Sequence, residues 1–103
     1  MAGKRIFSGH ALVAFAVPSA GDVSRVGVTV SRTVKSSADR NRARRRLREL
    51  ARQTLLGVDS HMTEVGIRYD VVLIARPAAL QVPFADLRAE VEQAALKLSR
   101  LTR

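Results

Sequence analysis

Cysteine and tryptophan are absent from the 103 residues, tyrosine occurs once and phenylalanine three times. Without cysteine there are no disulfides, thiolate metal ligands or thiol nucleophiles, and a reducing cytoplasm is the expected location. With only Phe7, Phe15, Tyr69 and Phe84 as rings, a surface that stacks on nucleobases has one or two of them to use. Acids are scarce as well, at nine against eighteen lysines and arginines, for a formal net charge of +9. Asp70, Asp86, Glu90 and Glu92 follow no metal-site spacing, so a protein-only, metal-dependent nuclease lacks its carboxylate cluster. His10 and His61 stand alone and read as surface residues, and no Ser/His/Asp set is legible. No apolar run reaches the ~18 residues of a membrane span. The apolar run after Lys4 and Arg5 alternates as a strand does and follows Ser8, Gly9 and His10, which argues against a signal peptide.

Hydrophobic residues make up 47% of the chain, enough for a real core in one domain spanning residues 1–103. The charge is concentrated. Between Arg32 and Arg48 stand eight basic residues and one acid, Asp39. A segment this cationic repels itself, so it reads as half of a charge-complementary contact, with nucleic-acid phosphate as the other half. A solvated surface face normally mixes signs, and an anionic membrane would ask for a broader apolar stripe than this segment has.

The remaining elements form a scaffold. Met1–Gly9 has no periodicity and reads as a flexible lead-in. Ala11–Val17 alternates as a strand, with Val13, Phe15 and Val17 on one face, and ends at Pro18. Arg25–Ser31 is the clearest strand, because Val26, Val28 and Val30 alternate with the small Gly27, Thr29 and Ser31. The short connection between the two predicts an antiparallel hairpin. Ser36 or Ser37 can cap a helix from about Ala38 to Leu56, whose apolar stripe is Ala43, Leu47, Leu50, Ala51 and Thr54. Gly57–Arg68 reads as a polar loop. Tyr69–Ala75 is a nearly continuous β-branched and aliphatic run, as expected of an interior strand covered on both sides. After Arg76-Pro77, an amphipathic helix runs from Phe84 to Leu101. The sum is a small α/β domain, an α+β sandwich with helices packed on a mixed sheet. No short helix precedes Ala38, which disfavours a helix-turn-helix.

The run Arg40-Asn41-Arg42-Ala43-Arg44-Arg45-Arg46-Leu47-Arg48-Glu49 resembles the RNR signature of the bacterial ribonuclease P protein subunit. The approach to it, Arg25-Val26-Gly27-Val28-Thr29-Val30-Ser31-Arg32, is similar to that family's preceding strand. Tyr69–Pro77 is similar to its later strand, so the resemblance covers roughly Gly3 to Leu101. It implies a βαβ crossover of left-handed type, against the usual rule. It also implies binding to a large catalytic RNA that, with magnesium, removes the 5′ leader from precursor tRNA. The protein itself would hold no cofactor and need no obligate protein partner. By this resemblance Arg40, Asn41, Arg42, Arg45, Arg46 and Arg48 contact the RNA subunit, and Arg44 joins them on the same basic helix. Phe15, Ser31, Arg32 and Lys35 match leader-binding positions. Phe15 suits a core ring as well as a stacking platform, and Asn41 suits a local hydrogen bond as well as an RNA contact. Family members usually begin with a helix that walls the leader cleft, and here the chain starts where that helix would end, at Gly3-Lys4-Arg5. Phe7 is a partial substitute. The charge pattern alone also allows a ribosomal or other structured-RNA-binding module with no part in tRNA processing.

Overall fold

Tyr69–Ala75 is apolar from Val71 onward, and in the computed structural model, which describes residues 4–18, 25–64 and 69–100, it has strands on both sides. The elements in chain order are β1 (Lys4–Ser8), β2 (Leu12–Pro18), β3 (Arg25–Val30), α1 (Ser37–Glu64), β4 (Tyr69–Ala75), a 3-10 turn (Pro77–Leu80) and α2 (Phe84–Arg100). The four strands form one mixed sheet in the order β1-β2-β4-β3. β2 runs antiparallel to β4, with Phe15 opposite Val72, and β3 runs parallel to β4, with Gly27 opposite Val72.

Both helices cover the same sheet face. Leu12, Ala14 and Ala16 of β2 and Val71, Leu73 and Ala75 of β4 point into this layer and are buried. They meet Ala43, Leu47, Leu50 and Ala51 of α1 and Leu87, Val91, Ala94, Ala95 and Leu98 of α2. No polar or charged residue is buried among the described residues. The small residues on the α1 stripe let a helix with a highly charged outer surface lie close to its neighbours. Ser36 caps α1: its hydroxyl accepts from Asp39 N at 3.4 Å and its carbonyl from Arg40 N at 2.9 Å.

The structure differs from the sequence pattern at four points. β2 and β3 do not form a hairpin, because β4 lies between them and pairs with each. Nearness in sequence is outweighed by a strand with apolar residues on both faces, which gains most from two neighbours. Second, Lys4–Ser8 is a strand and not a flexible lead-in. A register shift between Arg5 and Phe7 leaves Ile6 in a bulge, and a bulge hides the two-residue period. Third, α1 continues to Glu64, through the stretch that reads as a loop from Gly57. One helical glycine costs only ~1 kcal/mol, too little to end a helix by itself. Fourth, β4 is covered on one side only: Val72 and Ile74 on the other face are half-buried.

The β1–β2 turn is tied to α2. Gly9 N donates to Leu12 O at 2.8 Å, and the Glu90 carboxylate accepts from Ala11 N through both oxygens, at 3.0 and 3.1 Å. A side chain at position 9 has no room, since a Cβ there meets Glu90 Oε1 and lies 2.7 Å from the Phe7 ring. Gly9→Ala is therefore expected to destabilise the protein by about 1–3 kcal/mol, the usual range for overpacking. Urea unfolding of the variant beside the parent checks this, and an unchanged midpoint would refute the clamp.

Candidate nucleic-acid interface

Helix α1 carries arginine around most of its circumference, and its geometry sorts these residues into two groups. Asn41, Arg44, Arg45 and Arg48, spaced i, i+3, i+4, i+7, lie on one outward stripe and line a shallow concavity of about 260 Å³. Asn41 Oδ1 accepts from the Arg44 guanidinium at 3.0 Å, so the asparagine orients its cationic neighbour. Among the described residues no carboxylate lies in ion-pair range of Arg44, Arg45 or Arg48. The nearby acid Glu49 is engaged elsewhere: it accepts from Arg52 at 2.9 Å and from Gln53 at 2.8 Å. Those hydrogen bonds, Arg52 first, hold the exposed Glu49 carboxyl below the usual carboxylate range. The stripe thus presents three guanidiniums without a local counter-charge, a surface suited to an anionic polymer.

The second group turns inward. The Arg40 guanidinium donates to Ser31 O at 2.9 Å, Val34 O at 3.0 Å and Val30 O at 3.2 Å. Arg46 donates to Ala79 O at 2.7 Å and Val82 O at 2.8 Å, and its guanidinium carbon lies 5.8 Å from the Phe84 ring centroid. Arg42 donates to Leu80 O at 2.9 Å but is exposed, so it faces both ways. These carbonyls belong to the end of β3, the turn before α1, the 3-10 turn and Val82 in the link from it to α2, where regular pairing stops. A planar fork with five N–H donors satisfies such groups well. The seven site residues of α1 therefore do not form one surface: Asn41, Arg44, Arg45 and Arg48 stand together, while Arg40 and Arg46 act mainly within the fold.

The residues expected to meet a leader are spread out. Phe15 is half-buried on the sheet face that neither helix covers, with Val13 and Val17 of β2 and Val72 and Ile74 of β4. It is therefore not a ring of the helix-covered core. Gly27 leaves open space on the same face, with nothing within 4 Å of a Cβ built on it. Ser31, Arg32 and Lys35 lie at the end of β3. Ser31 is four residues along from Gly27, a strand distance of about 13 Å. The Ser31 hydroxyl lies 2.8 Å from Thr33 Oγ1 and accepts from Thr33 N at 3.3 Å, while Arg32 and Lys35 are exposed.

Two basic residues escaped the sequence reading. Arg5 pairs in register with Phe15 and is exposed, adding a cation beside the ring. Arg76, one residue past the end of β4, donates to Ser8 Oγ at the end of β1 at 2.9 Å. Strand alternation places Arg5 only once β1 is recognised as a strand. Among the described residues no group of three histidines or carboxylates could hold a metal ion, and no helix is long and apolar enough to cross a membrane.

Known proteins resemble this chain over most of its length. The family described as Ribonuclease P matches residues 1–99. The chain is 40% identical over 91 residues to the ribonuclease P protein component of Symbiobacterium thermophilum, covering 88% of this chain and 73% of that protein. It is 36% identical over 92 residues to the component of Dehalococcoides mccartyi, covering 89% and 69%. The solved RNase P protein from Thermotoga maritima has a TM-score of 0.65 and 26% identity, covering 86% of this chain and 77% of that one. A Staphylococcus aureus RNase P protein mutant with defective mRNA degradation activity has a TM-score of 0.69 over 95% of this chain and 75% of that one. At 23% identity it shows the shared fold. With its sheet, its helices and nearly its whole sequence matched, the chain belongs to the ribonuclease P protein family.

Proposed function

We propose that this chain, a protein component of ribonuclease P in tRNA processing, serves its complex by binding RNA at two separate surfaces. The outward stripe of Asn41, Arg44, Arg45 and Arg48 takes phosphates of the RNA subunit. The open sheet face around Phe15, with Ser31, Arg32 and Lys35 at its end, takes the single-stranded 5′ leader of precursor tRNA. The observation that carries this reading is the stripe itself: three guanidiniums on one helix side with no carboxylate in ion-pair range, in a chain of this family. The chemistry of cleavage belongs to the RNA subunit with its magnesium. The protein's part is electrostatic and positional. Its arginines displace counterions, lower the repulsion between two RNAs and hold the leader in place.

Cleavage of precursor tRNA by a bacterial ribonuclease P RNA at low magnesium, with and without this chain, tests the role directly. The expected result is protein-dependent cutting at the mature 5′ end. Tight RNA binding without stimulation would leave a structured-RNA-binding module as the better description.

Two variants separate the surfaces. Arg45→Ala should reduce the slope of log affinity against log salt for the RNA subunit by about 0.7–0.9, the contribution of one phosphate contact. An unaltered slope would remove Arg45 from the contact. Phe15→Ala should leave that slope unchanged and weaken leader-bearing tRNA relative to leaderless tRNA, since one stacked base contributes about 1–3 kcal/mol. Equal losses on both ligands would count against a stacking role.

A further inference from the structure

The turn between β3 and α1 carries two exposed cations, Arg32 and Lys35, on a backbone held from below. Ser31 N makes the last sheet bond, to Ala75 O at 2.8 Å, and Val34 N closes the turn onto Ser31 O at 3.1 Å. Val34 is buried, at 5% exposure, and plugs the turn into the core. The carbonyls of Val30, Ser31 and Val34 then converge on one point, from both sides of the turn. Three carbonyl dipoles aimed together repel unless a donor with positive charge sits between them. The Arg40 guanidinium fills that point with bonds of 2.9, 3.0 and 3.2 Å. It reaches back from the first turn of α1, where Ser36 fixes its backbone.

We propose that Arg40 is a positioning residue for substrate: its fork sets the geometry of the 31–35 turn and thereby where Arg32 and Lys35 meet leader phosphates. The inference rests on the leader-binding reading above and adds a residue that acts without touching RNA. Its guanidinium is half-buried and engaged with three carbonyls, so it is poorly placed to neutralise a phosphate as Arg45 does. Nη1 of Arg40 serves Ser31 O and Val34 O while Nη2 serves Val30 O, so lysine at position 40 keeps the charge but, with a single nitrogen, cannot hold all three carbonyls as the planar fork does.

The test uses Arg40→Lys in the complex with a bacterial ribonuclease P RNA, and measures binding of precursor tRNA with and without its 5′ leader. Arg40→Lys should reduce the preference for leader-bearing tRNA by about three- to tenfold, the coupling expected between neighbouring groups. The salt slope for the RNA subunit should not change, because no phosphate contact is lost. Arg32→Ala should lower the leader preference in the parent and have little further effect in Arg40→Lys. A purely structural role would lower the melting temperature and weaken both ligands equally, and that result overturns the proposal. So does full additivity of Arg32→Ala with Arg40→Lys. Thr33→Val loosens the same turn by removing the hydroxyl partner of Ser31 while keeping side-chain shape. It should reproduce the effect in milder form, and it decides the matter if Arg40→Lys does not fold. If Arg32→Ala and Lys35→Ala both leave leader preference intact, the leader reading of this turn fails and the role of Arg40 fails with it. Cleavage and the Arg45 salt slope still report the RNA-subunit surface independently.

Discussion

Arginine donating into backbone carbonyls is the interaction on which this structure depends. The chain must attach a polycationic helix to a small domain, and the apolar stripe of that helix is narrow. Arg40 and Arg46 supply the missing attachment, one to the end of β3 and the following turn, the other to the 3-10 turn and the link from it to α2. The carbonyls they cap lie where sheet and helix pairing stops. Apart from Ser31 O, which also accepts from Val34 N, each would cost about 1–3 kcal/mol if buried without a donor. The same residue type therefore gives the fold its joints and the surface its charge.

This arrangement explains how the helix tolerates so much positive charge. Repulsion between like charges is moderated where a guanidinium sits among carbonyl oxygens, and Glu49 takes Arg52 aside in an exposed pair. What is left uncompensated is one stripe, Arg44, Arg45 and Arg48, with Asn41 holding Arg44 in line. Residual repulsion there is a cost in the free protein that an RNA phosphate would remove. Binding energy and folding strain are thus opposite aspects of one charge distribution.

The sheet contributes a second asymmetry. Both helices lie on one face, so β4 is covered on one side and the alternate residues of β2 and β4 are left half-buried on the other. That open face carries apolar side chains, one aromatic ring, the bare backbone at Gly27 and the Arg5 cation at its margin. Such a mixture suits a flexible polymer with flat bases and charged linkages better than it suits water.

Much of this was legible in the sequence. The apolar stripe of α1, the alternation of β2 and β3, the continuous apolar run of β4 and the periodic α2 each come from local patterns of period 2 or 3.6, and those patterns survive folding. The family was legible too, because the RNR run and its flanking strands keep a fixed order. The sheet order was not. Local alternation says that a strand has a buried face but not which strand lies beside it, so β4 between β2 and β3 emerges only from packing. β1 was hidden by its bulge, and the extent of α1 by a glycine that proved too weak to end it. The division among the arginines was equally invisible. A helical wheel puts Arg40 and Arg46 on the flanks of the basic face, and nothing local shows that carbonyls from residues 30–34 and 79–82 come within reach of them. Sequence alone determined that the chain carries a cationic helix on a small α/β scaffold. Tertiary structure decided which cations are joints and which are surface, because only the folded backbone places open carbonyls within hydrogen-bond distance of a guanidinium.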